Sequence, residues 1–162
     1  MQLVLRGANL DMQLPLFQER VARLLDETAG SVRFTGPYEQ ADLPAVLSAV
    51  DWLIVPSIWW ETGPLVIHEA LMHRRPVICS NIGSMAERIQ DGVNGLHFGV
   101  GDADSLADTI RRAVNSPELW HKLRGQITDP HPMDEHLPIV IGIYNHLLAL
   151  RRSPPRSCAG ER

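Results

Sequence analysis

The chain has 162 residues, of which 44% are hydrophobic and 21% charged, and its formal net charge is -4. These values are typical of one globular domain and exclude a disordered chain, while the acidic balance argues against nucleic acid or a charged membrane surface as a partner. Because the two cysteines form no disulfide framework and the N-terminus shows no signal-peptide pattern, the sequence predicts a cytoplasmic protein.

Apolar runs rich in β-forming residues alternate along the chain with stretches of helical periodicity. Strands are predicted at residues 2–7, 32–36, 51–57, 76–80 and 95–100. Helices are predicted at residues 14–30, 41–50, 64–74, 84–92, 102–116 and 117–127. Five such alternations predict an α/β fold, a Rossmann-like doubly wound parallel sheet with helices on both faces.

The predicted domain covers residues 1–151 and ends in a helix at 134–151, and residues 152–162 are expected to form a disordered tail. The first helix shows apolar residues at helical spacing and a glycine stop at Gly30. Its apolar residues are Leu16, Phe17, Val21, Leu24 and Leu25. Asp42 and Asp102 are predicted to cap later helices at their N-termini.

The stretch PSIWWETGPLVIHEALMHRRPVICSN, residues 56–81, places two carboxylates around a predicted helix start. Glu61 precedes Gly63 and Pro64, and Glu69 follows them inside the helix. Pro64 is predicted at the first helical position, so that the amides of Leu65 and its neighbours are free to receive anionic oxygens. In such a fold, ligands bind beyond the carboxyl ends of the strands, where this loop lies.

The chemistry of this arrangement indicates a nucleotide-sugar. An ionised carboxylate accepts hydrogen bonds and donates none, so its neutral partner is a vicinal diol of a ribose or a hexose. A helix N-terminus suits a diphosphate. One carboxylate for the ribose, one for the hexose and a helix end for the diphosphate together match such a donor.

The stretch PSIWWETGPLVIHEALMHRRPVICSNIGSMAERIQDGVNGLHF resembles the E-x7-E region of retaining glycosyltransferases of the GT-B fold, glycosyltransferase family 4 (group 1). The spacing from Glu61 to Glu69 matches that motif. The segments PVICSNIGSMAE and DGVNGLHF resemble the strand, helix and turn that follow it in the family. The resemblance extends over residues 3–126 and implies the donor-binding half of a larger enzyme.

The resemblance implies a role for each matching residue. Glu69 would hold the ribose hydroxyls, and Glu61, the catalytic candidate, would contact the donor sugar. Tyr38 falls where main chain of the family contacts the base. The main chain at the helix start would contact the sugar and the diphosphate; it comprises Thr62, Gly63, Pro64 and Leu65.

The chain departs from the family pattern at several positions. Pro64 replaces a glycine and removes an N–H donor, Arg74 replaces a helix-ending glycine, and Ser84 replaces the second glycine of a pair. The family's diphosphate-neutralising arginine and lysine and its N-terminal acceptor-binding domain are absent from this sequence. Sugar transfer by the isolated chain is therefore not expected, and membrane association is expected only through the full enzyme.

Two other functions are compatible with the sequence. One is a nucleotide-sugar epimerase-like domain, although the acidic and histidine residues of those enzymes are not found. The other is a non-catalytic binding module that uses Trp59 and Trp60 as a protein contact. No metal or other cofactor is expected, because His68 and His73 have no metal-ligand partner at useful spacing. The base, sugar and acceptor are not specified by the sequence.

Overall fold

A computed structural model of the chain describes residues 1–7, 9–28, 30–128 and 133–152. It contains two compact units that divide after Ile127. The first unit holds the sheet strands, and the described part of the second is one helix. The predicted domain of residues 1–151 stays a prediction, and residues 153–162 of the predicted tail lie outside the described residues.

Among the described residues, the strands pair in parallel and form two groups. Strands β1 (Leu3–Leu5) and β2 (Val32–Phe34) form one ladder. Strands β3 (Leu53–Val55), β4 (Val77–Ser80) and β5 (Gly95–Phe98) form another, with β4 in the centre. The predicted α/β class with parallel strands is confirmed, although within the described residues no ladder joins β1 to β3.

Helices follow the strands in the predicted order. They are α1 (Pro15–Glu27), α2 (Leu43–Ser48), α3 (Leu65–Met72), α4 (Gly83–Arg88), α5 (Ala103–Val114) and α6 (Pro117–Gln126), with α7 (Met133–Arg152) in the second unit. The Asp102 side chain accepts a hydrogen bond from the Ser105 amide at 2.9 Å, so the predicted cap of α5 is confirmed. Asp42 occupies the cap position of α2 but makes no capping hydrogen bond. In the described part of the chain, no helix is both long and apolar enough to cross a bilayer.

Strand β4 is buried along its whole length and separates two hydrophobic clusters. On one face, Cys79 packs with Ile67 of α3 and Met85 of α4. On the other, Ile78 packs with Ala113 of α5 and Leu123 of α6. Since alternate residues of a strand point to opposite faces, this division places helices on both faces of the sheet, as predicted.

Helix α3 ends in a Schellman motif built on Arg74. The Arg74 amide donates to Leu71 O and the Arg75 amide to Ala70 O, both at 2.9 Å, and Arg74 has a φ of 53°. This is the left-handed conformation in which helices favour glycine. Arg74 thus stands where a glycine would end the helix without strain, and the non-glycine residue carries the associated strain.

Candidate functional site

Glu61 is held by a short hydrogen-bonded loop between β3 and α3. The Ser57 hydroxyl donates to Glu61 Oε1 at 3.0 Å and accepts from the Trp59 amide at 3.3 Å. The Glu61 amide donates to Trp59 O at 2.9 Å. The backbone amide and the carboxylate of Glu61 are therefore both held by hydrogen bonds. The carboxylate is exposed and can accept further hydrogen bonds.

The N-terminus of α3 begins one residue later than predicted. Pro64 is the N-cap, with an extended ψ of 116°, so its assignment to the first helical position is wrong. The Ile67 amide donates to Pro64 O at 3.1 Å. Leu65 and Val66 therefore carry the amides of this turn that have no acceptor within the helix.

Glu69 lies in the second turn of α3 and is half-buried. Gln40 Nε2 donates to Glu69 Oε1 at 3.4 Å, which joins the connection after β2 to α3. The half-buried Tyr38 lies two residues before Gln40 on that connection. Gln40 thus links the connection that carries Tyr38 to Glu69. Sequence reasoning missed Gln40, because a lone glutamine matches no motif.

The turn between β4 and α4 packs directly under the Glu61 loop. Gly83 has a φ of 54°, and a Cβ added to it would lie 3.3 Å from Trp60 Cε3 and 3.5 Å from Glu61 O. Glycine is favoured here both by its backbone conformation and by the close approach of the loop. Strands β3 and β4 are parallel neighbours, so the loops that follow them lie side by side at the carboxyl ends of the strands.

The remaining predicted residues, Thr62 and Gly63, lie between Glu61 and the helix start. Thr62 is exposed, and Gly63 is half-buried beside the Arg88 side chain of α4, since a Cβ on Gly63 would lie 3.6 Å from Arg88 Nη2. Sequence reasoning missed Arg88, because its position in α4 gives no sign that it reaches this loop. Among the described residues, no group of three His, Cys, Asp or Glu side chains is arranged to hold a metal ion.

Comparison with known proteins agrees with this geometry. A family model described as "Glycosyl transferases group 1" matches residues 1–116. Glycogen synthase of Mycobacterium tuberculosis is 30% identical over 115 residues, which are 71% of this chain and 27% of that protein. The chain spans about a quarter of the length of the curated relatives it matches.

Solved structures show the same fold. Sucrose-phosphate synthase from Thermosynechococcus elongatus superposes with a TM-score of 0.76 at 26% identity, covering 92% of this chain and 39% of that one. Anabaena HepE, solved in complex with UDP-glucose, superposes with a TM-score of 0.69 at 22% identity, covering 78% and 34%. The fold is therefore that of the GT-B glycosyltransferases. The chain belongs to the glycosyl transferases group 1 family.

Proposed function

We propose that this chain is the donor-binding part of a retaining glycosyltransferase, which moves a hexose from a nucleoside diphosphate to a glycan or lipid-linked acceptor. The observation that carries the proposal is a set of three features on the loop and helix that follow β3. They are the oriented carboxylate of Glu61, the two free amides at the start of α3, and Glu69 with the Tyr38 segment beside it.

The diphosphate is assigned to the N-terminus of α3. The amides of Leu65 and Val66 and the positive end of the helix dipole favour an anion there. During transfer the bond between the anomeric carbon and the diphosphate oxygen breaks, and negative charge grows on the leaving group. Donors that are fixed before the reaction stabilise that charge without reorganising.

The two glutamates are assigned to the two sugars of the donor. Glu69 accepts hydrogen bonds from the ribose hydroxyls, which replace the long contact from Gln40, and the main chain at Tyr38 contacts the base. Glu61 accepts from the hydroxyls of the transferred hexose. Ser57 occupies one of its acceptor positions and orients the carboxylate, leaving others for the sugar.

The test of the ribose assignment is calorimetry with UDP and GDP on Glu69→Ala. A charge-assisted hydrogen bond is worth about 1.5–3 kcal/mol, so affinity should fall at least about tenfold. Glu118→Ala is the matched control, because Glu118 is an exposed glutamate on α6 and should leave binding unchanged. Equal affinities for Glu69→Ala and the unsubstituted chain would remove the ribose contact.

The division of roles is tested by Glu61→Ala. This variant should bind free UDP or GDP normally and bind the matching nucleotide-hexose more weakly, because only the hexose contacts Glu61. Equal weakening of both ligands would contradict the assignment. UDP is the first nucleotide to use, since HepE was solved with UDP-glucose.

Transfer itself is proposed to need a partner domain that holds the acceptor. The chain corresponds to about a quarter of its relatives, and orienting two reactants can contribute about 7–11 kcal/mol. The 162-residue chain alone is therefore expected to bind nucleotide and to transfer no sugar. Transfer from UDP- or GDP-hexose to an added acceptor by this chain alone would contradict the proposal.

A further inference from the structure

Helix α7 carries a long apolar stretch that is exposed to solvent. Between residues 136 and 150 the sequence contains no Asp, Glu, Lys or Arg. Residues 137–150 all belong to the described part of the chain, and none of them is buried. The large leucine, isoleucine and tyrosine side chains of this stretch are 48–64% exposed. A helix with this much apolar surface is normally covered by another element, so α7 presents an interface.

The stretch contains a stripe with the spacing of a coiled-coil seam. Leu137, Val140, Tyr144 and Leu147 follow one another at intervals of three, four and three residues. Arg151 continues the same stripe into the last turn of α7. Residues three and four apart lie on one side of a helix, and this alternation allows two helices to pack along their whole length. The stripe therefore fits a second helix rather than a small ligand.

The charges of α7 are divided between its two ends. Asp134 lies in the first turn and Arg151 in the last, and both side chains are exposed. If two copies of α7 packed in parallel, like charges would meet at both ends. If they packed antiparallel, Asp134 of each copy would lie near Arg151 of the other, and the helix dipoles would also oppose each other favourably. The helix is thus complementary in charge to an antiparallel copy of itself.

We propose that two copies of this chain associate through α7, with the two helices antiparallel about a two-fold axis. Leu137 of one copy packs against Leu147 of the other, and Val140 packs against Tyr144. Because the interface is symmetric, each of these contacts occurs twice. The apolar stripe supplies the affinity, and the charges at the ends select the antiparallel orientation.

The first test measures the mass of the chain in solution by light scattering and sedimentation at up to about 100 μM. The 162-residue chain, of 18.1 kDa, should associate to about twice this mass. Leu147→Glu places a charge in the stripe and should raise the dissociation constant of the dimer at least about tenfold. Asn145→Glu is the matched control, since Asn145 is an exposed residue of α7 outside the stripe. A monomeric unsubstituted chain, or equal dissociation constants for the two variants, would overturn the proposal.

The second test uses the charges at the ends of α7. Asp134→Arg alone and Arg151→Asp alone each bring like charges together, so each variant should dimerise about fivefold more weakly. An equimolar mixture of the two variants should recover the dimer, because both ends of the mixed pair then carry opposite charges. Unchanged dimerisation of each variant alone, or no recovery on mixing, would overturn the antiparallel interface. Circular dichroism checks that every variant keeps its helix content, and if Leu147→Glu loses it, the mixing experiment decides.

Discussion

The two parts of the first unit differ in burial more than their sequences suggest. From Leu43 to Ile127, β4 and its neighbours separate two buried clusters. From Met1 to Pro37, no described residue is buried, and Leu16 of α1 is 79% exposed. Both parts nevertheless show clear strand and helix patterns. Apolar periodicity thus identifies the face that an element can bury, while burial itself depends on what packs there.

The difference also explains where the candidate site lies. The Glu61 loop, α3 and the turn before α4 are all attached to strands β3 and β4 of the buried part. Rigid neighbours hold the loop that carries Glu61 against Gly83. A site that must position a donor before reaction is better supported there than on elements with little packing.

The largest expected effect is a clash in the buried part. A Cβ on Gly95 would lie 2.1 Å from Val77 O of the neighbouring strand, so Gly95→Ala should destabilise the fold by about 4 kcal/mol or more. Gly7, just after β1, has nothing within 4 Å of an added Cβ, and Gly7→Ala should change stability by less than about 0.5 kcal/mol. Urea unfolding measures the free energy of unfolding of both variants. Similar losses for Gly95→Ala and Gly7→Ala would contradict the difference in packing between the two parts.

A second pair of variants tests side-chain burial directly. Leu96 in β5 is fully buried, so Leu96→Ala should cost about 2–5 kcal/mol through lost apolar contact and cavity formation. Leu16→Ala should stay within about 0.5 kcal/mol, because the side chain is already in water. A large loss for Leu16→Ala would show that α1 packs against something in solution.

Much of this arrangement could be predicted from the sequence. The order of strands and helices and the Asp102 cap follow from local patterns. The exposure of α1 could not be predicted, because it depends on contacts distant in sequence. The same is true of the break between the ladders of β1 and β3.

The candidate site shows the same limit. The spacing of Glu61 and Glu69 could be recognised because both lie in one continuous stretch of chain. Gln40 and Arg88 reach the site from two other elements, and no spacing rule connects them to it. The helix start was misplaced by one residue at Pro64, because proline is common both at and near the first helical position.

A smaller effect concerns the left-handed residues of the two parts. Arg74→Gly should stabilise the fold by about 1 kcal/mol by relieving backbone strain, whereas Arg74→Ala keeps the strain and should not. Asn9, with a φ of 67° in the exposed part, should gain less from Asn9→Gly because asparagine tolerates this conformation. The midpoints of thermal unfolding show whether each variant is more or less stable than the unsubstituted chain. A lower midpoint for Arg74→Gly than for Arg74→Ala would contradict backbone strain at residue 74.

The smallest effect at neutral pH comes from Cys79 in β4. Burial, with a further contribution from Asp91, raises the pKa of its thiol from 9.0 to about 12. Below pH 9 the thiol is protonated in both folded and unfolded chains, so Cys79 adds no pH dependence. As pH rises from 9 towards 12, the unfolded chain loses this proton first and stability falls. Cys79→Ala should show a shallower loss of stability over pH 9–10.5, and identical slopes would contradict the burial of this thiol.

The most direct measurement is an amide NMR titration of the chain with UDP-glucose and GDP-hexose. The account predicts the largest shift changes at Glu61 to Val66, at Glu69 and in the segment from Tyr38 to Gln40. A shallow pocket beyond β1 and β2, lined by residues including Gly7, Asn9 and Phe34, should change little. Saturable changes confined to that pocket, or none at the start of α3 with either donor, would contradict donor binding at the Glu61–Glu69 site.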